Sequence, residues 1–194
     1  MSNSYKTCVS LENVKEAFDR ISPYVHQTPV LHCSTLDSIS IKNSCSKNNL
    51  RLHFKCENLQ KTGSFKARGA CNAVLIAKSK GVHGLVTHSS GNHGQAVAWA
   101  TSKEVANLPC TVVVPKGTPQ VKCDAIIEYG AQLVFCENSP TSRQEKCEKI
   151  FSETGRHIVN SSDDYDVLAG QVFCQLVIYL LYYELYLTIK VSKL

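Results

Sequence analysis

The sequence predicts an α/β fold with parallel strands flanked by helices, and three observations point to it. From Gly84 onward, short apolar runs alternate with helix-like segments. Gly, Pro and Asn cluster at the junctions between them. The content of 43% hydrophobic and 19% charged residues is that of a chain with an ordinary core, which excludes a disordered or fibrous protein. Strands alternating with helices imply right-handed βαβ units and hence a parallel sheet.

Taken in order, Leu11, Val14, Ala17, Phe18 and Ile21 recur at helical spacing behind Ser10 as N-cap, and Ser22-Pro23 ends that helix. Residues 38–49, rich in Ser, Asn and Lys, read as a surface loop. Residues 50–56 alternate apolar with polar and predict a strand. A helix follows from about Phe65 to Lys80. Then come a strand at 85–87, a helix from Asn92 to Lys103, a strand from Cys110 to Val114 and a helix from Gln120 to Tyr129. A strand at 132–136, a helix from Ser142 to Glu153 and a short strand at 157–159 complete the series.

The net charge of +5 is scattered, with no block of basic residues, so nothing marks a nucleic-acid surface. The 10 cysteines form no C-x-x-C pair and no zinc spacing, so no metal site is expected. Tyr5 and Lys6 interrupt any apolar run that could serve as a secretory signal, so the thiols are expected free in a reducing, cytoplasmic setting. Without secretion the sequon Asn160-Ser161-Ser162 carries little weight.

Three features carry chemistry. The first is Lys61-Thr62-Gly63-Ser64-Phe65-Lys66-Ala67-Arg68-Gly69. A lysine at a helix start is ordinarily a surface charge. One that forms a Schiff base needs shelter, where desolvation lowers its pKa, and flanking glycines that let the backbone approach a flat ligand. The second is Thr87-His88-Ser89-Ser90-Gly91-Asn92-His93-Gly94-Gln95, between a strand and a helix. There, free N–H groups and the helix dipole favour an anion, although Ser-Ser-Gly-Asn alone could be a simple cap. The third is Arg143 after Ser139-Pro140-Thr141-Ser142, either a surface charge or a carboxylate clamp.

Both motifs, in this order and spacing, resemble the serine racemase and threonine dehydratase family of fold-type II pyridoxal-phosphate enzymes, which are tryptophan synthase β-like. The resemblance runs over roughly residues 10 to 171, ending in Asp163-Asp164-Tyr165-Asp166-Val167-Leu168-Ala169-Gly170-Gln171. It implies that pyridoxal 5'-phosphate is held by Lys66, with Phe65 beside it and Asn92 against its ring oxygen. It implies that the backbone at Ser89, Gly91 and His93 grips a substrate carboxylate, with Arg143 facing the substrate and His88 structural. In racemases of this family the serine matching Ser90 faces the cofactor opposite the lysine, whereas biosynthetic threonine dehydratases usually carry Ala there. Acid/base groups on both faces suit a racemase, and the lysine face alone suffices for a dehydratase.

The implied substrates are L-serine, L-threonine and D-serine, and the implied assembly is a homodimer. A 3-hydroxyaspartate ammonia-lyase or aspartate racemase stays open as an alternative. Lys61, Thr62 and Gln95 resemble positions that contact a nucleotide effector in animal serine racemases, and Mg2+ and ATP are effectors the resemblance brings with it.

The resemblance also implies residues 1–83 as the start of a large cofactor-binding domain, 84–164 as a small domain, and 165–194 as a return to an incomplete large domain. From Val172 the chain turns apolar and aromatic to Leu194. Three readings stand for this tail: a membrane span over Val172–Ile189, opposed by Gln175 and Glu184; a core helix; or translation past an exon end, which is the reading adopted. The expected loss of a phosphate-cradling loop leaves a rival of another class, a non-catalytic isoform or pseudo-subunit.

Overall fold

The computed structural model describes residues 8–42 and 51–172. The apolar tail from residue 173 onward lies outside the described residues, as do residues 43–50. Among the described residues no helix is long and apolar enough to cross a membrane.

Helix α1 (Leu11–Ile21) begins as its sequence suggests. The Ser10 hydroxyl accepts the Asn13 N–H, and the Asn13 side chain accepts the Ser10 N–H, both at 3.2 Å. Its buried stripe is Val14, Ala17 and Ile21, while Leu11 stays exposed.

The next stretch departs from expectation. Residues 38–42 are not loop but the end of helix α2 (Ser34–Lys42). The reason is Asp37, whose carboxylate meets His32 Nε2 at 2.6 Å and accepts the Leu52 N–H at 2.8 Å. These ties outweigh the weak helix propensity of a Ser- and Thr-rich segment. The strand expected over 50–56 shortens to β2 (His53–Lys55), and an unforeseen β1 (Val30–His32) pairs with it antiparallel, Leu31 opposite Phe54.

Two short 3-10 turns, Glu57–Leu59 and Lys61–Gly63, lead to α3 (Lys66–Ser79). A parallel sheet follows: β3 (Leu85–His88), β4 (Cys110–Pro115), β5 (Gln132–Cys136) and β6 (His157–Ile158), in the order β5-β4-β3-β6. Between them run α4 (Asn92–Thr101), α5 (Gln120–Glu128) and α6 (Pro140–Thr154). A further helix starts at residue 165, its first turn capped by Asp164 Oδ1, which accepts the Asp166 and Val167 N–H groups.

Side-chain alternation divides the core in two. Leu85, Val112 and Val114 join a cluster with α3, α4 and Ile126 of α5, while Val86 and Val113 pack with Cys147 of α6 on the opposite face. α3 and α4 carry buried small residues around most of their surface, Ala67, Ala70 and Ala73 in one and Ala96, Ala98 and Ala100 in the other, so neither shows a clean polar stripe. The eight described cysteines are free, and five of them are buried.

Candidate active site

In the order β5-β4-β3-β6 the chain builds outward from β3 on one side, then returns to its other side. That reversal opens a crevice at the carboxyl ends of β3 and β6, the place where such sheets receive ligands. A cleft of about 370 Å³ lies there, lined among others by His88, Arg143, Asn160, Ser161 and Asp163. A larger cleft of about 700 Å³ sits at the opposite, amino ends of β4 and β5, between Thr101–Pro109 and Glu128–Gly130. The smaller one is the chemical candidate, because Ser161 in its wall touches the amine of Lys66.

Lys66 opens α3. Its Nζ donates to the Ser161 carbonyl at 3.2 Å and to Gln171 Oε1 at 3.1 Å, and lies 5.1 Å from the centroid of the Phe65 ring. Burial holds its pKa below the usual lysine value, and both acceptors are uncharged, so the amine is freed more readily than a surface lysine. Phe65 shows 42% of its surface.

The turn beneath Lys66 is fixed from several sides. Gln60 accepts the N–H groups of His26 and Lys61 at 2.8 and 2.9 Å, and Arg68 pairs bidentately with Glu57 at 2.8 Å on both arms. Within that turn Thr62 sits at φ 59, its hydroxyl buried without a hydrogen-bond partner. The turn packs against α4, the helix that carries Gln95.

The second motif forms the β3–α4 junction. The Ser89 N–H donates to Val113 O at 3.0 Å, extending the ladder by one residue, and Ser89 Oγ accepts the Gly91 N–H at 3.1 Å. Ser90 and Asn92 are exposed, and α4 starts at Asn92 with no side-chain cap on its first N–H groups. Gly94 brings that first turn against the sheet, since a Cβ there would lie 2.9 Å from Val112 Cγ1 and 3.2 Å from Ser89 Cβ.

His93 points inward and is 3% exposed, with no hydrogen-bond partner of good geometry on either ring nitrogen. Burial is the main force that pushes its pKa down to about 4. The nearby Val159 backbone offsets part of this, and the charge on Lys66 adds to it.

Arg143 lies in the first turn of α6, which Ser139 caps by accepting the Ser142 N–H at 3.1 Å. Its Nε donates to the Ser139 carbonyl at 3.3 Å. Burial lowers the pKa of His88 across the cleft, and the charge of Arg143 adds to that. His88 and Arg143 thus share the cleft, Lys66 reaches its wall through the Ser161 carbonyl, and His93 lies near enough to feel the charges of Lys66 and His88. Sequence reasoning missed Gln171 and Ser161 as partners of the Lys66 amine, and the Glu57–Arg68 pair. No local pattern could have found Gln171, since the glycines at 69 and 170 show a close crossing only once the fold is known.

The model of the pyridoxal-phosphate dependent enzyme family matches residues 21–182. A serine racemase of Arabidopsis thaliana is 42% identical over 171 residues, covering 88% of this chain and 49% of that protein. A beta-hydroxyaspartate dehydratase of Paracoccus denitrificans is 37% identical over 164 residues, covering 84% and 49%. Among solved structures, a pyridoxal 5'-phosphate-dependent aspartate racemase superposes with a TM-score of 0.80 at 51% identity, over 87% of this chain and 50% of that one. The chain thus spans about half the length of the relatives it matches.

Proposed function

The chain belongs to the fold-type II pyridoxal-phosphate dependent enzymes, and from that premise we propose that Lys66 holds the cofactor and that the whole protein is a serine racemase with serine and threonine dehydratase activity. The observation that carries this is the setting of the Lys66 amine, half-buried, with its pKa lowered and two uncharged acceptors, one of them Ser161 in the wall of the switch-point crevice. The residues present fit such a group. Thr62 and His93 offer buried polar atoms still without partners, and Gly94 draws uncapped N–H groups to the site.

Bound pyridoxal phosphate supplies an electron-withdrawing ring that stabilises the carbanion left when an amino acid loses its α-proton. Lys66 takes that proton on one face. The exposed Ser90 hydroxyl supplies one from the other face for racemisation, and loss of the β-hydroxyl from the substrate gives elimination. Phe65 and Asn92 would flank the cofactor, while the backbone at Ser89, Gly91 and His93 receives the substrate carboxylate. Lys61, Thr62 and Gln95 are proposed for a nucleotide effector, with Mg2+ as its companion ion. The proposed assembly is a homodimer, and the proposed setting is the reducing cytoplasm, where the free thiols of the described residues would stay reduced.

Incubating the purified chain with pyridoxal phosphate and then borohydride tests the reading. The expected result is a visible band that bleaches, and one pyridoxyl mass on the peptide carrying Lys66, absent in Lys66→Ala. A folded chain that takes up no label there overturns it and favours a non-catalytic subunit.

A second reading rests on Arg143, a cation facing the same cleft as the His88 ring, whose lowered pKa leaves it an uncharged hydrogen-bonding group. They suit a substrate with a second carboxylate, as for an aspartate racemase or 3-hydroxyaspartate ammonia-lyase. In the full-length protein, Arg143→Met should raise KM for the dicarboxylate about tenfold or more while changing that for serine little. Equal losses for both substrates would rule it out.

A further inference from the structure

Lys66 is not aimed by α3 alone. The helix over residues 165–172 crosses α3 at two glycines. A Cβ on Gly69 would lie 2.5 Å from the Val167 carbonyl oxygen and 2.6 Å from Gln171 Nε2. A Cβ on Gly170 would meet the Arg68 carbonyl oxygen at 2.7 Å and Gly69 Cα at 2.9 Å. With no side chain on either, the two backbones touch, and the residue after Gly170 reaches the start of α3. That residue is Gln171. Its Oε1 accepts from Lys66 Nζ at 3.1 Å, while its Nε2 donates to the Val167 carbonyl at 3.4 Å. The second bond fixes which end of the carboxamide faces the amine, since an amide turned over would set donor against donor.

We infer that Gln171 is a positioning residue for Lys66: its carboxamide oxygen, locked by its own helix and admitted by the Gly69–Gly170 crossing, orients the amine and receives it whenever it is free. The inference rests on the reading of Lys66 as the cofactor lysine. The chemistry of the side chain suits the task. A carboxylate of the same length would hold the amine as a charged ion pair, and an apolar chain would leave it unaimed. Three groups face the amine from the elements around it: the Ser161 carbonyl, the Phe65 ring, and His93 from the first turn of α4. His93 is the titratable one. With a pKa near 4 it is uncharged at neutral pH, so Gln171 is the side chain whose replacement changes the field there.

The test is a titration of the Lys66 amine in the purified chain without cofactor. Trace acetylation with acetic anhydride at a series of pH values is read by mass spectrometry on the Lys66 peptide. Gln171→Met and Gln171→Glu keep the side-chain length and are good helix formers, so both preserve the element. The expected result is opposite displacement of the midpoint. It moves down in the Met variant, which loses an acceptor that favours the ammonium, and up by about one pH unit in the Glu variant. Loosened packing alone would move both the same way. Coincident midpoints, or displacement in one direction only, overturn the inference, and if the Met variant does not fold, the sign in the Glu variant decides. Failure is separable from that of the proposed function. No pyridoxyl on Lys66 in the parent chain sinks the cofactor reading whatever the titration gives, while a labelled parent with no opposed displacement sinks the Gln171 role alone.

Discussion

Around the crevice, burial acts on two titratable groups at once. It frees the Lys66 amine and keeps the His93 imidazole uncharged. For His93 the consequence for stability has a definite sign. Its pKa in the folded chain is about 4 against 6.5 for an unperturbed imidazole, so between those values the unfolded chain binds the proton that the folded chain refuses. Stability is then full above pH 6.5, falls as the pH drops toward 4, and has lost about 3 kcal/mol of this contribution below it. Urea unfolding of the parent and of His93→Gln at pH 7 and pH 4.5 checks this, with a shallower pH dependence expected in the variant. Equal slopes would show that carboxylates alone govern acid stability. At this scale the candidate residues Lys66, Ser89 to His93 and Arg143 were legible as short motifs, while the roles proposed for them came from the family resemblance those motifs carry. Gln171 was not, because it lies 105 residues from the amine it contacts and no local pattern joins them.

At the scale of elements, the central part of the chain was readable and the first part was not, for a physical reason. β3 to β6 and their helices are each defined by the apolar face they bury, which sequence periodicity reports. α2 and the β1–β2 pair are held by Asp37 and by cross-strand pairing, which periodicity does not report. The helix crossing at Gly69 and Gly170 is a third kind of case, specified by what is missing from the side chains. Gly69→Ala puts a methyl group 2.5 Å from a backbone oxygen, so one helix must shift, at a cost of about 1–3 kcal/mol in urea unfolding. Gly91→Ala is the contrast. Its Cβ would meet only the end of the Lys122 side chain at an ordinary 3.8 Å, so no helix need shift; the cost is confined to a backbone at φ −152° and ψ −143°, outside the usual extended region, and a smaller loss is expected than at Gly69. Equal losses in the two variants would mean that the crossing is looser than its distances indicate.

Over the whole molecule, the alternation of strands and helices predicted a parallel sheet. The side of β3 on which β6 would dock was not in any local pattern, because it depends on where α6 can pack. The result is an uneven distribution of protection. β4 is buried at every position from Cys110 to Pro115, sandwiched between the two clusters. The β1–β2 pair is short, and Leu31 and Phe54, opposite each other, are 53% and 41% exposed. Apolar burial resists local opening, and β4 is paired on both sides whereas among the described residues β1 and β2 each have one partner, so the two sheets should open with different free energies. Native-state hydrogen exchange at neutral pH separates them. The amides of Val112, Val113 and Val114 are expected to exchange only through global unfolding, and those of the β1–β2 ladder at least about a hundredfold faster. Adding urea distinguishes the two routes, since global opening accelerates steeply with denaturant and local opening hardly responds. If the β1–β2 amides followed the same steep dependence as β4, that strand pair would be part of the same cooperative unit, and α2 with its Asp37 ties would have to be what binds it there.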